Sequence, residues 1–241
     1  MGYTILRSPA TGREPPHWDA KGLIDSRCGT LAGVTDFQAL LDAAAVDPRS
    51  PAWNKIWTQS CHQDTCDPAS AVLLPWLART CAAFPAEDRE KALVLAGFIA
   101  VDADANSRTL HADDIAMLRA LTLDTLATGT ASDEMFVYLL QAVLGFEGDE
   151  TWGKELDHLN DGEVDVQCPA CDEELLIELE SQDSPVEPGL SSPLAARLHS
   201  TAVQAGRASV ATGLTYLFGR VTCTSCGATF PLADHLAGHA L

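Results

Sequence analysis

From Val34 to about Asn160 the apolar positions of this chain recur at helical spacing, and at Asp161-Gly162 they change to strand-like alternation. Thr35 and Gln38 have the spacing of a capping box ahead of Phe37, Leu40 and Leu41, and Asp47-Pro48 predicts the end of that first helix. Ser50-Pro51 supplies an N-cap and a first-turn proline for a second helix, which carries Trp53, Ile56 and Trp57 on one face. Asp67-Pro68 repeats the start signal ahead of Leu73, Leu74, Leu77 and Cys81. Pro75 must either kink this helix or mark its true beginning, because proline has no N–H to donate inside a helix. A fourth helix follows Pro85, with Ala92, Leu95, Ala96 and Ile99 at i, i+3, i+4 and i+7. Further helices are expected near 112–127 (Ile115, Leu118, Leu121) and 132–145 (Phe136, Leu139, Leu140, Val143, Leu144), the second capped by Ser132.

Residues 1–33 read as an irregular arm, because Gly12, Pro15, Pro16, Gly22, Gly29 and Gly33 interrupt it too often for a helix; Trp18 could pin it to the body. The helices of 34–160 fall into hairpins. Leu74-Pro-Trp-Leu77 with Ala92 to Ile99 has a counterpart in Met117-Leu-Arg-Ala-Leu121 with Phe136 to Val143. The offset of roughly 44 residues lies inside the ~40–47 range of HEAT or armadillo repeats; a plain helical bundle is the alternative.

Beyond Asp161, Glu163-Val-Asp-Val-Gln167 alternates like a strand and Leu175 to Leu179 reads as its return strand. Ser192-Pro193 opens a helix through about Ala205 that Gly206 closes, an apolar segment runs from Val210 to Phe218, and Thr229-Phe-Pro-Leu232 is a candidate last strand.

The chemistry sits in two copies of one pattern, Cys168-Pro-Ala-Cys171 and Cys223-Thr-Ser-Cys226. Each Cys-x-x-Cys turn can aim two sulfurs at one ion. Four thiolates complete a tetrahedron, for which Zn²⁺ is the usual occupant, and a sphere filled by protein sulfur is structural rather than catalytic. Gly227 suits the left-handed turn such a knuckle needs. The stretch between the pairs, about 50 residues, exceeds the ~15–20 of a compact site, so the insertion must fold on itself and return the ends. A rival set uses Cys223, Cys226, Phe230, Leu236 and His239 at C₂H₂-like spacing, with His235 and His239 at i, i+4. It leaves Cys168 and Cys171 unused, and the second histidine it needs falls beyond Leu241.

Cys61-His-Gln-Asp-Thr-Cys66 is a second cluster. It reads either as a nucleophile or metal site built from His62 with Cys61 or Cys66, or as a helix end where imidazole caps carbonyls and a free cysteine is a small apolar residue. Cys81 lies on an apolar helix face. Trp53, Trp57 and Trp76 are either interhelical core or the lining of a peptide groove.

Charge narrows the function classes. With 15 Lys and Arg against 34 Asp and Glu the net charge is −19, which opposes nucleic acid and anionic membrane surfaces. Between Lys154 and Arg197 there is no Lys or Arg, while Glu163, Asp165, Asp172, Glu173, Glu174, Glu178 and Glu180 gather around the first knuckle: a solvated strand edge or a docking face for a basic surface. The longest apolar run, Ala92 to Val101, is half of the ~20 residues a membrane span takes. The N-terminus has neither a signal-peptide core nor Ser or Thr at position 6 for myristoylation. A cytoplasmic location is expected, where thiols stay reduced and paired Cys-x-x-Cys reads as metal binding. P-loop, dinucleotide-binding, His-Glu-x-x-His and Gly-x-Ser-x-Gly motifs are absent from the sequence.

His62-Gln63, Pro68-Ala-Ser70, Leu74-Pro-Trp-Leu77, Tyr138-Leu-Leu-Gln141, Asp161-Gly-Glu163, Cys168-Pro-Ala-Cys171 and Leu217-Phe-Gly219 ahead of Cys223 resemble a group of bacterial HEAT-like helical-repeat proteins with a zinc-ribbon-like tail. The resemblance covers about 34–235. It departs where the group often has His-Gln-Gly-Thr and this chain has His62-Gln-Asp-Thr65. What it implies is an architecture, since no activity is established for the group; immunity and scaffold roles of HEAT-like bacterial proteins are an analogy of fold. The expectation is a mainly α protein: a HEAT-like hairpin stack over 34–160, then a zinc-ribbon-like β module over 161–241 with a helical insertion near 192–218. Structural Zn²⁺ is expected on Cys168, Cys171, Cys223 and Cys226. The expected function is a non-enzymatic interaction or scaffold protein with a protein partner. The alternatives are an immunity or antitoxin protein masking a basic partner, and a metal- or thiol-dependent enzyme using His62 with Cys61 or Cys66.

Overall fold

A computed structural model describes residues 31–62, 65–130, 132–179 and 184–236, with side chains from Asp36 onward. The arm expected over 1–33, with Trp18 and Cys28, lies outside the described residues except for Leu31 to Gly33, which already belong to α1 (Leu31–Val46). That helix runs through the Thr35–Gln38 box rather than starting at it, and the Gln38 amide donates to Asp42 one turn on.

Local signals set most of the later boundaries. Ser50 Oγ accepts from Ala52 N ahead of α2 (Ala52–Ser60), which buries Trp53 and Ile56. The chain then forms a minimal hairpin, β1 (Cys61–His62) with β2 (Thr65–Cys66). Asp67 caps a 3₁₀ turn, Pro68–Leu73, and Pro75 stands in the first turn of α3 (Leu74–Ala83), where its missing donor costs nothing. α4 (Glu90–Asp102) is buried without interruption from Ala92 to Val101. α5 (Ala105–Leu110), which apolar periodicity does not predict, is started by Asp104 accepting from Asn106 N and Ser107 N. α6 (Ala112–Thr128) follows, and α7 (Asp133–Glu147) is capped by Ser132 and closed by Gly148 in the left-handed region.

The helices pair as two hairpins, α3 with α4 and α6 with α7. They stack in two layers, α3 against α6 and α4 against α7. α4 and α7 approach closely through small residues. A Cβ on Gly97 would lie 2.4 Å from Ala142 Cβ, and one on Gly145 would lie 2.7 Å from the Gly97 carbonyl oxygen.

Past the short α8 (Trp152–Glu155) and α9 (His158–Asp161), β3 (Glu163–Gln167) pairs antiparallel with β4 (Glu174–Glu178), Val164 opposite Ile177 and Val166 opposite Leu175. After β5 (Val186–Glu187) come α10 (Pro193–Gln204), capped by Ser192, and α11 (Ala208–Leu217). β6 (Arg220–Thr222) and β7 (Thr229–Pro231) then complete a sheet in the order β5-β6-β7. The molecule is thus mainly helical with small antiparallel sheets. One hydrophobic core continues from Leu41 to Leu232, and Trp152 stacks on Phe218 at 4.5 Å between centroids across the junction near 160. Arg207 bonds Asp133 and Thr130 at the start of α7, and Arg197 grips Glu147 at its end with both guanidinium nitrogens. Among the described residues no helix is long and apolar enough to cross a membrane.

Candidate metal centre

β3 and β6 each run straight into a Cys-x-x-Cys turn, and the two turns have the same backbone plan. In the first, Cys168 N donates to Glu173 O at 2.9 Å and Asp172 N donates back to Cys168 O at 2.9 Å. In the second, Cys223 N donates to Ala228 O at 2.8 Å and Gly227 N to Cys223 O at 2.9 Å. Both turns close on a left-handed residue, Gly227 at φ 75° and Asp172 at φ 58°; among the described residues Asp172 is the only non-glycine with positive φ. Aspartate tolerates that region better than most side chains, so a glycine is not required there.

Strand alternation decides what supports the turns. Val164, Val166 and Ile177 point into the core beneath the first turn, and Val221 and Phe230 beneath the second. The hairpins are then joined: Leu236 bridges to Val166, and Gln167 N donates to His235 O. Cys168 and Cys223, at the strand ends, are buried, while Cys171 and Cys226 are exposed.

All four sulfurs lie within 4.8 Å of one another. Cys168 Sγ is 3.7 Å from Cys226 Sγ, and Cys171 Sγ is 3.8 Å from Cys223 Sγ. A tetrahedron with Zn–S bonds of about 2.3 Å has S···S edges of about 3.8 Å, so the four cysteines are close enough to hold one metal ion and their nearest pairs match a zinc tetrahedron. The backbone favours anionic sulfur: the N–H of Cys226, then that of Ser225, aim at Cys223 and hold its thiol down to about 7. Cys171 receives the N–H of Glu173, yet the neighbouring sulfurs of Cys226, Cys168 and Cys223 carry it up to about 12. Four thiolates at such range cannot coexist without a cation among them.

The other candidates are placed elsewhere. His235 sets its ring edge-on against Phe230, 5.1 Å between centroids, and is not part of the sulfur cluster; His239 lies outside the described residues. Cys61 and Cys66, expected as thiols, are joined by a disulfide. The sequence expectation rested on a reducing compartment. The structure instead places the pair opposite each other in the β1–β2 register, whereas His62 faces Thr65 on the opposite, exposed side. Gln63 and Asp64 lie outside the described residues. Cys81 is buried in the core, and burial pushes its thiol up to about 12. Trp53 is core, packed on Trp76 and Phe84, and Trp57 meets Phe98 edge-on.

One feature had no sequence signal. Arg108 donates to the carbonyls of Ala100, Gly145 and Phe146 and so closes the C-terminal ends of α4 and α7 together. It borders a cleft of about 500 Å³ lined also by Asp102, Asp104, Glu150 and Lys154, in which Lys154 Nζ is paired with Asp102 at 2.5 Å. Comparison of the chain with protein-family models, with curated proteins and with solved structures finds no match to any of them.

Proposed function

We propose that this protein is a non-enzymatic interaction or scaffold protein of the HEAT-like, zinc-ribbon-tailed kind, whose C-terminal part is held by one structural Zn²⁺ on Cys168, Cys171, Cys223 and Cys226. The observation that carries it is the convergence of two sulfur pairs, 52 residues apart at their nearest, on one tetrahedron-sized point. With all four positions supplied by sulfur, no coordination site is left for water or substrate, so the ion would do structural work. Two layers of stacked hairpins, α3–α4 and α6–α7, support the helical-repeat reading.

For the partner, the outward side of the β3–β4 hairpin supports a basic protein surface. Glu163, Asp165, Glu174 and Glu178 are exposed there around Leu176, and Glu163 stands directly opposite Glu178. Like charges in register cost stability in the free protein, and a cationic partner would relieve that cost. The same field disfavours nucleic acid. Capture of such a partner should weaken as salt rises from 50 to 500 mM; salt-independent capture rules the electrostatic part out.

The metal is tested by elemental analysis of protein purified without added metal. One zinc per chain is expected, and Cys223→Ser should lose most of it and melt at lower temperature. Full metal content with an unchanged melt in Cys223→Ser would falsify the assignment.

A further inference from the structure

The disulfide between Cys61 and Cys66 is used by nothing proposed above, and it shares the chain with four cysteines that converge as free thiols. We propose that Cys61–Cys66 is a reversible thiol–disulfide site, opened by an external thiol that attacks at Cys61.

Three observations support reversibility. First, the bond closes a ring of only six residues, with a sequence separation of 5. Loop-closure entropy grows with loop length, so so short a ring contributes little to holding the fold. Second, the surrounding hydrogen bonds do not pass through sulfur. Asp67 N donates to Ser60 O at 2.9 Å, Ser70 Oγ donates to the same carbonyl at 3.2 Å, and Cys66 N donates to Asp102 Oδ2 at 2.6 Å. These bonds keep both flanks of the hairpin in place when the sulfurs part. Third, the two cysteines, both buried, are not equivalently placed. Cys66 is 1% exposed and tied to the end of α4, whereas Cys61 is 7% exposed and adjoins exposed His62.

The exchange balances with a thiol as the only co-reactant. An external thiolate forms a new S–S bond to Cys61 Sγ as the Cys61–Cys66 bond breaks. The electron pair leaves on Cys66, which takes a proton from water. A second external thiolate then displaces Cys61 and departs as the oxidised dimer, so two external thiols are oxidised and the protein disulfide is reduced. Among the described residues the other thiols stay apart from this step: Cys81 is wholly buried in the helical core, and the four converging cysteines lie on the β3–β4 and β6–β7 hairpins. An oxidised pair and a reduced cluster can therefore coexist, each set by its own surroundings.

The test uses the full-length protein equilibrated in reduced and oxidised glutathione at stepped ratios. Quenching by alkylation, intact mass and peptide mapping give the thiols, and zinc content and circular dichroism are followed in parallel. One step releasing two thiols, mapped to residues 61 and 66, is expected, with zinc and secondary structure constant. Cys66→Ser should trap a glutathione adduct on Cys61 at least ten-fold faster than Cys61→Ser traps one on Cys66. Both thiols remaining free under oxidised glutathione, or loss of cooperative unfolding on reduction, overturns the proposal; if either variant fails to fold, the wild-type step alone decides. Equal trapping in the two variants removes Cys61 as the point of attack. Zinc loss without a change in the two-thiol step speaks against the metal reading alone.

Discussion

Asp172 and Gly227 hold the same place in two turns of the same plan, but they place different demands on a side chain. Nothing lies within 4 Å of where a Cβ on Gly227 would stand, so Gly227→Ala meets no steric obstacle and is penalised only through its φ of 75°. A loss of about 1 kcal/mol is expected, read as a lower melting temperature of metal-loaded protein. Asp172→Gly exchanges relief of the same backbone cost against a freer unfolded chain, and should stay within about 0.5 kcal/mol of wild type. Equal losses in the two variants would mean that the turns are not held alike. Gly227 was legible because glycine after Cys-x-x-Cys advertises a left-handed turn. Asp172 was not, since aspartate is equally at home on an exposed acidic strand. Cys61 and Cys66 show the opposite failure: residue type and compartment pointed to thiols, and pairing across β1–β2 brought the sulfurs together.

Among the elements, α4 and α7 decide the packing. Alanine is the better helix former by about 1 kcal/mol, so on propensity alone Gly97→Ala should stabilise α4. The crossing reverses that sign, because the new methyl would lie 2.5 Å from Ala142 Cα, which belongs to backbone and cannot step aside. A net destabilisation of about 1–3 kcal/mol is expected from overpacking, measured by denaturant unfolding. Ala142→Gly in the same chain should recover only part of it, since the Cα stays. A neutral or stabilised Gly97→Ala would show that the two helices do not cross this closely. Boundaries written in local chemistry were readable in advance, as where Ser132 and Ser192 cap their helices, whereas Pro75 left a kink or a start open and the structure has it in the first turn of α3. α5 was not, because Ala105-Asn-Ser-Arg-Thr-Leu110 has no apolar stripe and is held instead by the Asp104 cap and by Arg108 reaching other helices.

At the scale of the molecule, Glu147 joins three helices. It accepts from Arg197 of α10 and Arg119 of α6 while standing at the end of α7, and those bonds, Arg197 first, hold its carboxyl below the ordinary 4.5. A lowered folded pKa gives stability that is complete above the ordinary value and is lost as pH falls through the folded one. Glu147→Gln should therefore melt below wild type at pH 7, and the gap should close as pH drops beneath 4.5. A gap that does not narrow at all as pH falls from 7 to well below 4.5 would assign the loss to packing rather than charge. Asp133, held low by Ser209 and by Arg207, lies at the other end of α7 and should weaken at lower pH, as pH falls below 3.8, so acid should loosen the α10–α11 hairpin at both attachments, the Glu147 end first. With a net charge of −19, protonation also relieves general repulsion, and for that reason the comparison of variant with wild type, rather than the wild-type curve alone, isolates Glu147.

By itself, though with no signal for the β1–β2 hairpin or for β6, the sequence determined the mainly helical character of 34–160, the β3–β4 strands that carry the first Cys-x-x-Cys turn, and the four residues that could share a metal. Each of those rests on periodicity, capping or spacing within a few residues. Only the tertiary structure decided that Cys168 and Cys171 meet Cys223 and Cys226, and that α4 is enclosed by α3, α6 and α7. The physical reason is that those contacts are closed by other parts of the chain. The α10–α11 hairpin folds back on α7 through Arg197 and Arg207, and Trp152 packs on Phe218 just ahead of β6. Meetings between residues some 50 positions apart depend on burial and on long-range charge pairs, and a local pattern of apolar and polar residues carries no record of which distant partner will supply them.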